Sequence, residues 1–258
     1  MKITTLLENT TKRSDLQAEH GLSLYIETGD QKILFDMGQT DLFAQNAEIL
    51  GVDLSEVDIA VLSHGHYDHG GGLRKFLEIN SRAPIYVNPY AFLPHYNGSE
   101  KYIGLDTSIA DNSRIIFTDD IHKIDSSLCL FSCNDRERKY HFDHFGLSEM
   151  KDGCLIPDSF RHEQCLLIEE NGKRILFSGC SHKGILNIMD WFSPDVLVGG
   201  FHFSKMPLGE EFSEMAKTLA RYPTVFYTCH CTGSEQLDFM RRYMPNLHAL
   251  SCGQSLSF

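Results

Sequence analysis

Short apolar runs alternate with polar, glycine-bearing joints along this chain, and the spacing switches between a period of two and a period near 3.6. Met1 to Asn9 alternates like a strand. Gly21 to Glu27 and Gln31 to Phe35 read as paired strands joined at Thr28-Gly29-Asp30, with Asp36 closing the second and Gly38 just beyond it. Residues 40 to 50 have helical spacing, Ile59 to Leu62 read as a strand, a helix starts around Leu73 to Leu77, and Ala83 to Val87 form the next strand. The later half repeats the scheme. Gln164 to Glu169 and Arg174 to Ser178 flank a Glu170-Asn171-Gly172 turn, and the second of them ends at Gly179-Cys180. Ile185 to Phe192 is helix-like, Val196 to Val198 a short strand, Glu210 to Tyr222 a helix, and Thr224 to Thr228 a strand that delivers His230. Chemically rich residues repeatedly follow strand ends, where an open sheet presents a site.

Length and composition narrow the picture. The 258 residues suffice for one large two-layered core or two small domains, and no Pro/Gly/Ser-rich linker divides them. One domain over residues 1–258 is expected, with an insertion covering the site somewhere within 89–159. That stretch is rich in aromatic and imidazole rings, among them Tyr90, Phe92, His95, Tyr96, Tyr102, His141 and Phe145, which suit either recognition of a flat ring or packing of the insertion. The N-terminus lacks the apolar core of a secretory signal, and no run of about 18 apolar residues suggests a membrane span. A cytoplasmic protein is expected, with its 8 cysteines reduced and several of them ordinary core residues.

The sharpest local signal is Ser63-His64-Gly65-His66-Tyr67-Asp68-His69-Gly70-Gly71-Gly72, directly after a strand. Four polar side chains so close together would repel or go unpartnered in a core unless a cation joined them. His64 and His66 point the same way from alternate positions, so two imidazoles reach one ion. Asp68 and His69 are offset after a turn, which suits a second ion at the roughly 3.5–4 Å separation of bimetallic sites. The glycines allow the sharp loop into the following helix.

This run resembles the signature of the metallo-β-lactamase fold superfamily. Further segments, namely His20-Gly21-Leu22-Ser23, Ile33 to Gly38, Phe177 to His182, Gly199 to His202 and Thr228 to Gly233, are similar to its 7,8-dihydropterin-6-methyl-4-(β-D-ribofuranosyl)aminobenzene-5'-phosphate synthase-like branch. The resemblance implies an αββα sandwich and a dinuclear metallohydrolase. It implies His64, His66 and His162 around one ion and Asp68, His69 and His230 around the other. Cys180 takes the place where relatives carry a bridging aspartate, and a thiolate there favours zinc, with manganese and iron left open. Asp36 would accept a ring N–H from a ligating histidine. His20, His182 and His202 are pocket residues or alternative ligands. Plainer readings stand beside these: a surface His162, a buried unliganded Cys180, Asp36 as a turn cap, and Cys229-His230-Cys231 as a separate structural zinc site, which would need a fourth ligand.

The expected chemistry is hydrolysis of a small ester, phosphoester, lactone or related substrate by a metal-activated water that Asp68 orients. Two other functions fit the same residues: metal-dependent transfer of a pterin methyl group to a ribosylaminobenzene phosphate, and metal-dependent binding without turnover. Nucleic acid is not expected as substrate. The 35 acidic against 23 basic residues give a formal charge of -12, which opposes phosphate backbones, and Arg136, Arg138 and Lys139 form only a short basic cluster.

Overall fold

A computed structural model describes residues 1–258. The apolar runs pair into two seven-stranded sheets. The first runs Ser255–Ser257, Lys2–Leu7, Ser23–Glu27, Lys32–Phe35, Ile59–Val61, Ile85–Val87, Ile115–Phe117, and the second Leu247–Ala249, Val225–Thr228, Val196–Gly199, Lys173–Ser178, Cys165–Glu170, Leu128–Phe131, Ile121–Lys123. Each sheet contains an antiparallel hairpin whose second strand continues into parallel strands, Lys32–Phe35 in the first and Lys173–Ser178 in the second.

Strand alternation explains the layering. Ile33 and Phe35 enter a central cluster while Leu34 between them joins another, and Ile175 and Phe177 flank Leu176 in the same way. Both faces of these strands are buried, so they read as continuous apolar runs. The central cluster lies between the sheets, where the rings of Phe35 and Phe177 meet at 5.8 Å. Outside the first sheet, Leu34, Ala60 and Ile85 pack with Phe43 of the helix Leu42–Ile49 and Phe76 of Leu73–Ile79. Outside the second, Leu176, Leu197 and Phe226 pack with Ile188 of Ile185–Phe192 and Phe212 of Glu210–Leu219. The order is helix, sheet, sheet, helix, as expected. None of the helices is long and apolar enough to cross a membrane.

The expected elements form with local differences. The helix from Glu210 stops at Leu219 rather than Tyr222, because Pro223 disfavours helical backbone at the residue before it. The first hairpin strand starts at Ser23 because the Leu22 N–H is drawn off to the Asp68 carbonyl, 3.3 Å away. Residues 89–159 divide between architectures: Ile115–Phe117, Ile121–Lys123 and Leu128–Phe131 extend the main sheets. The remainder supplies a separate four-stranded sheet, Cys154–Pro157, Leu147–Lys151, His95–Asn97 and Lys101–Tyr102. Its small core of Ile103, Leu147 and Phe160 rests against Tyr67, inside the histidine-rich loop.

Asp36, Ser63, Gly179, Gly200 and Cys229 each follow closely on a strand that belongs to a parallel pair, at its C-terminal end. Loops at one end of the sandwich therefore gather the polar residues, as carboxyl ends of open sheets commonly do. Phe177→Ala, which empties the inter-sheet layer, is expected to lower unfolding free energy by about 3–5 kcal/mol in urea titration. Leu208→Ala, at a side chain 44% exposed, is expected to change it by less than about 0.5 kcal/mol.

Candidate metal centre

The buried Asp36 carboxylate organises the first half of the site. One oxygen accepts the Ser63 backbone N–H at 2.7 Å, and the other accepts the Ser63 hydroxyl at 2.7 Å and His69 Nδ1–H at 2.6 Å. The Ser63 hydroxyl has given its proton to Asp36, so its oxygen accepts from His64 Nδ1 at 2.8 Å. These bonds fix both tautomers: His64 and His69 are protonated at Nδ1 and turn unprotonated Nε2 atoms inward. The loop is tightly packed. A Cβ on Gly65 would come within 2.3 Å of the Ala91 carbonyl oxygen, and one on Gly179 within 2.1 Å of Ser63 Oγ.

The second half of the chain closes on this loop. The His230 backbone N–H donates to Glu8 at 2.7 Å, and its Nδ1 meets Asn9 Oδ1 at 2.9 Å, leaving Nε2 free. His182 is placed by Glu163, whose carboxylate accepts the backbone N–H groups of His182 at 2.6 Å and Lys183 at 2.9 Å. Its ring stacks on Phe160 at 4.6 Å. Asp36, Phe160, Ser181, His202 and His230 all have positive φ, a strained state for residues with a side chain, and all border the same cluster.

The inward-facing atoms converge. His64 Nε2 lies 3.3 Å from His182 Nε2, and His69 Nε2 lies 3.2 Å from both His230 Nε2 and Cys180 Sγ. Asp68 Oδ2 is 3.2 Å from His230 Nε2 and 3.2 Å from His20 Nε2. His66 joins His64 and His182 within 4.8 Å, and its Nε2 is buried without a hydrogen-bond partner. Nitrogens whose protons are committed elsewhere repel at such distances unless a cation lies between them. Ligands about 2.0–2.1 Å from a tetrahedral ion are separated by roughly 3.4 Å, close to the observed spacings. The donor set therefore fits divalent metal.

Electrostatics favours the ligating forms of His64, His182 and Asp68. Burial, reinforced by neighbouring histidines, pushes His64 and His182 well below the usual imidazole pKa and keeps them neutral. His69 differs: burial opposes its charge, but Asp36 outweighs burial and raises that pKa, so a metal at Nε2 would displace a proton. For Asp68, burial is outweighed by the hydrogen bond from His20 and by the adjacent His230 and His69 rings, which hold the carboxyl well below its usual range.

His64, His66, Asp68, His69, Cys180 and His230 thus come together, with His20 on the solvent side of Asp68. His162 does not take the place expected of it. Its Nδ1 accepts the Gly65 N–H at 2.9 Å and its Nε2 faces Asp158 at 3.3 Å, so both nitrogens are occupied. His182 stands against His64 instead. His162 belongs to a buried group with His66, His95 and Asp158, in which Asp158 also meets His95 Nδ1 at 3.0 Å. Asp158 gave no sequence signal, and His95 was visible only as one ring among many. Cys229 enters the inter-sheet core while Cys231 groups with Cys180 and His202, so the two cysteines do not form a separate zinc site. His202 lies with its Nδ1 buried and unpartnered beside His182, ring centroids 4.3 Å apart.

Asp36→Ala frees the rings of His64 and His69 and is expected to weaken zinc binding by about 10–100-fold, read by competition with a chromophoric chelator. Wild-type affinity in that variant would contradict the orienting role.

Comparison with known proteins agrees with this architecture. A model of the metallo-beta-lactamase superfamily matches residues 16–228. A protein of unknown role from Methanocaldococcus jannaschii is 32% identical over 78% of this chain and 78% of its own length. The 7,8-dihydropterin-6-methyl-4-(beta-D-ribofuranosyl)-aminobenzene-5'-phosphate synthase of the same organism is 27% identical over 100% of this chain and 97% of its own. A solved structure described as a metal-dependent hydrolase of the beta-lactamase superfamily superposes with a TM-score of 0.86 at 27% identity, covering 100% of this chain and 99% of that one. The two facing sheets, the histidine-rich loop at their carboxyl ends and the match over most of the chain lead to one conclusion: the protein belongs to the metallo-beta-lactamase superfamily.

Proposed function

We propose that the protein is a dinuclear metallohydrolase acting on a small ester, phosphoester, lactone or related electrophile. The observation that carries this reading is the convergence of His64 with His182 and of His69 with His230, with the protons of His64, His69 and His230 held on the far side of each of those three rings. His64, His66 and His182 would hold one ion, and Asp68, His69 and His230 the other, with Cys180 beside His69. Imidazole nitrogens with one thiol and one carboxylate favour zinc over harder ions. Divalent ions bound there supply Lewis acidity and make a water molecule easier to deprotonate near neutral pH.

The chain's own groups divide the remaining work. Asp68 stays ionised and accepts hydrogen bonds, which suits orienting a nucleophile and excludes it as a proton donor at neutral pH. His20 is half exposed, and its Nε2 lies 3.2 Å from Asp68. With Nδ1 facing the Asn9 amide nitrogen at 3.3 Å, its proton sits on Nε2 and is donated to the ionised Asp68. The charge of -12 supports a small-molecule substrate rather than RNA.

A second reading has its own support: full-length similarity to the synthase suggests metal-assisted transfer of a pterin methyl group, with diphosphate as leaving group. Incubating the zinc-loaded protein with aryl phosphates, lactones and esters, beside a pterin methyl diphosphate with its aminobenzene acceptor, separates the two. Hydrolysis is expected to need metal and to fall by about 10²–10⁴-fold in Asp68→Asn at equal metal content. Near-normal turnover by that variant at full occupancy would refute the role of Asp68, and product formation only with the acceptor present would establish transfer instead.

A further inference from the structure

Two cavities open onto the cluster and share His20, Ser204, His230 and Cys231. The first, about 320 Å³, has a wall of Cys229, Leu237, Ala249 and Leu250. Most of its polar neighbours are already engaged with one another. Glu8 accepts from His230 N–H and from both the backbone and hydroxyl of Thr10, Asn9 is bound to Gly21 and His230, and Thr228 and Thr232 pair with each other at 2.5 Å. This lobe offers little to a charged group and accepts an apolar one.

The second cavity, about 240 Å³, lies beneath the small four-stranded sheet. Apart from histidines, its charged lining residues are Asp68 of the cluster and two lysines, Lys101 and Lys205. The lysines approach from different elements. Lys101 sits on the small sheet with its ammonium 5.6 Å over the Tyr67 ring, while Lys205 follows the His202 loop and is tethered to the Phe145 carbonyl at 3.1 Å. Placing both cations beside the cluster in a chain of net charge -12 makes this lobe locally attractive to anions.

We propose that the substrate is two-ended: an anionic oxygen group held between Lys101 and Lys205, and an uncharged, largely apolar group seated against Leu237, Ala249 and Leu250. The bond to be broken then spans the shared wall at His20 and His230, beside the metal ligands. This assignment rests on the metallohydrolase reading and adds the chemical class of its substrate.

Methylphosphonate and phenylphosphonate share the anionic end and differ only at the other, and neither depends on turnover. Calorimetric titration of the zinc-loaded protein with each, on samples of measured zinc content, tests the proposal. Phenylphosphonate is expected to bind about tenfold more tightly, the value of burying one ring. The double variant Lys101→Met/Lys205→Met is expected to lose about fivefold toward both ligands. Ser234→Trp and, independently, Ala249→Leu narrow the apolar lobe and are expected to bring the ratio between the ligands toward one. Equal affinities in the wild type, an unchanged affinity in the double lysine variant, or no binding of either ligand to zinc-loaded protein overturns the proposal alone. A chain that takes up no zinc overturns the metal centre, and this proposal with it.

Discussion

The site depends on one buried carboxylate. Asp36 sits at the end of a hairpin strand in left-handed backbone, fully buried, and both of its oxygens are occupied by donors from the loop two strands' length further on. A buried charge without partners is strongly unfavourable, so the histidine-rich loop must close on Asp36 in one arrangement. That arrangement presents His69 directly and His64 through Ser63, each with Nε2 turned inward. Removing the proton acceptor would leave two rings free to flip, and the spacing in the motif would no longer define a ligand set.

The scaffold supplies the rigidity this requires. Central strands buried on both faces fix where each loop starts, and the site collects loops from both sheets rather than from one continuous segment. Strain accompanies this convergence. Five residues with side chains hold positive φ around the cluster, and distant parts of the chain secure some of them, as Glu8 and Asn9 secure His230. The small sheet adds a further tie, since Asp158 from its edge reaches His162, which in turn accepts the Gly65 N–H.

The strands were legible because burial on both faces leaves an apolar record in sequence, and the His64 to His69 cluster because its ligands are neighbours in the chain. Local spacing could not choose between His162 and His182. Both follow strand-end patterns, and the decision lies in which ring has a free nitrogen, a matter settled by Gly65, Asp158 and Glu163 from elsewhere in the fold. The same limit hid Asp158, whose partners are 63 and 4 residues away. The edge strands Ile115–Phe117 and Ile121–Lys123 are hard to read for another reason: they are short and partly exposed, so their alternation is weak.

Crystals of the zinc-loaded protein, with diffraction data collected on either side of the zinc absorption edge, address the central claim directly. Two anomalous peaks are predicted, one among His64, His66 and His182 and one among Asp68, His69 and His230. A single peak within the His66, His95, Asp158 and His162 group, or zinc bound by His162 in place of His182, would contradict the account.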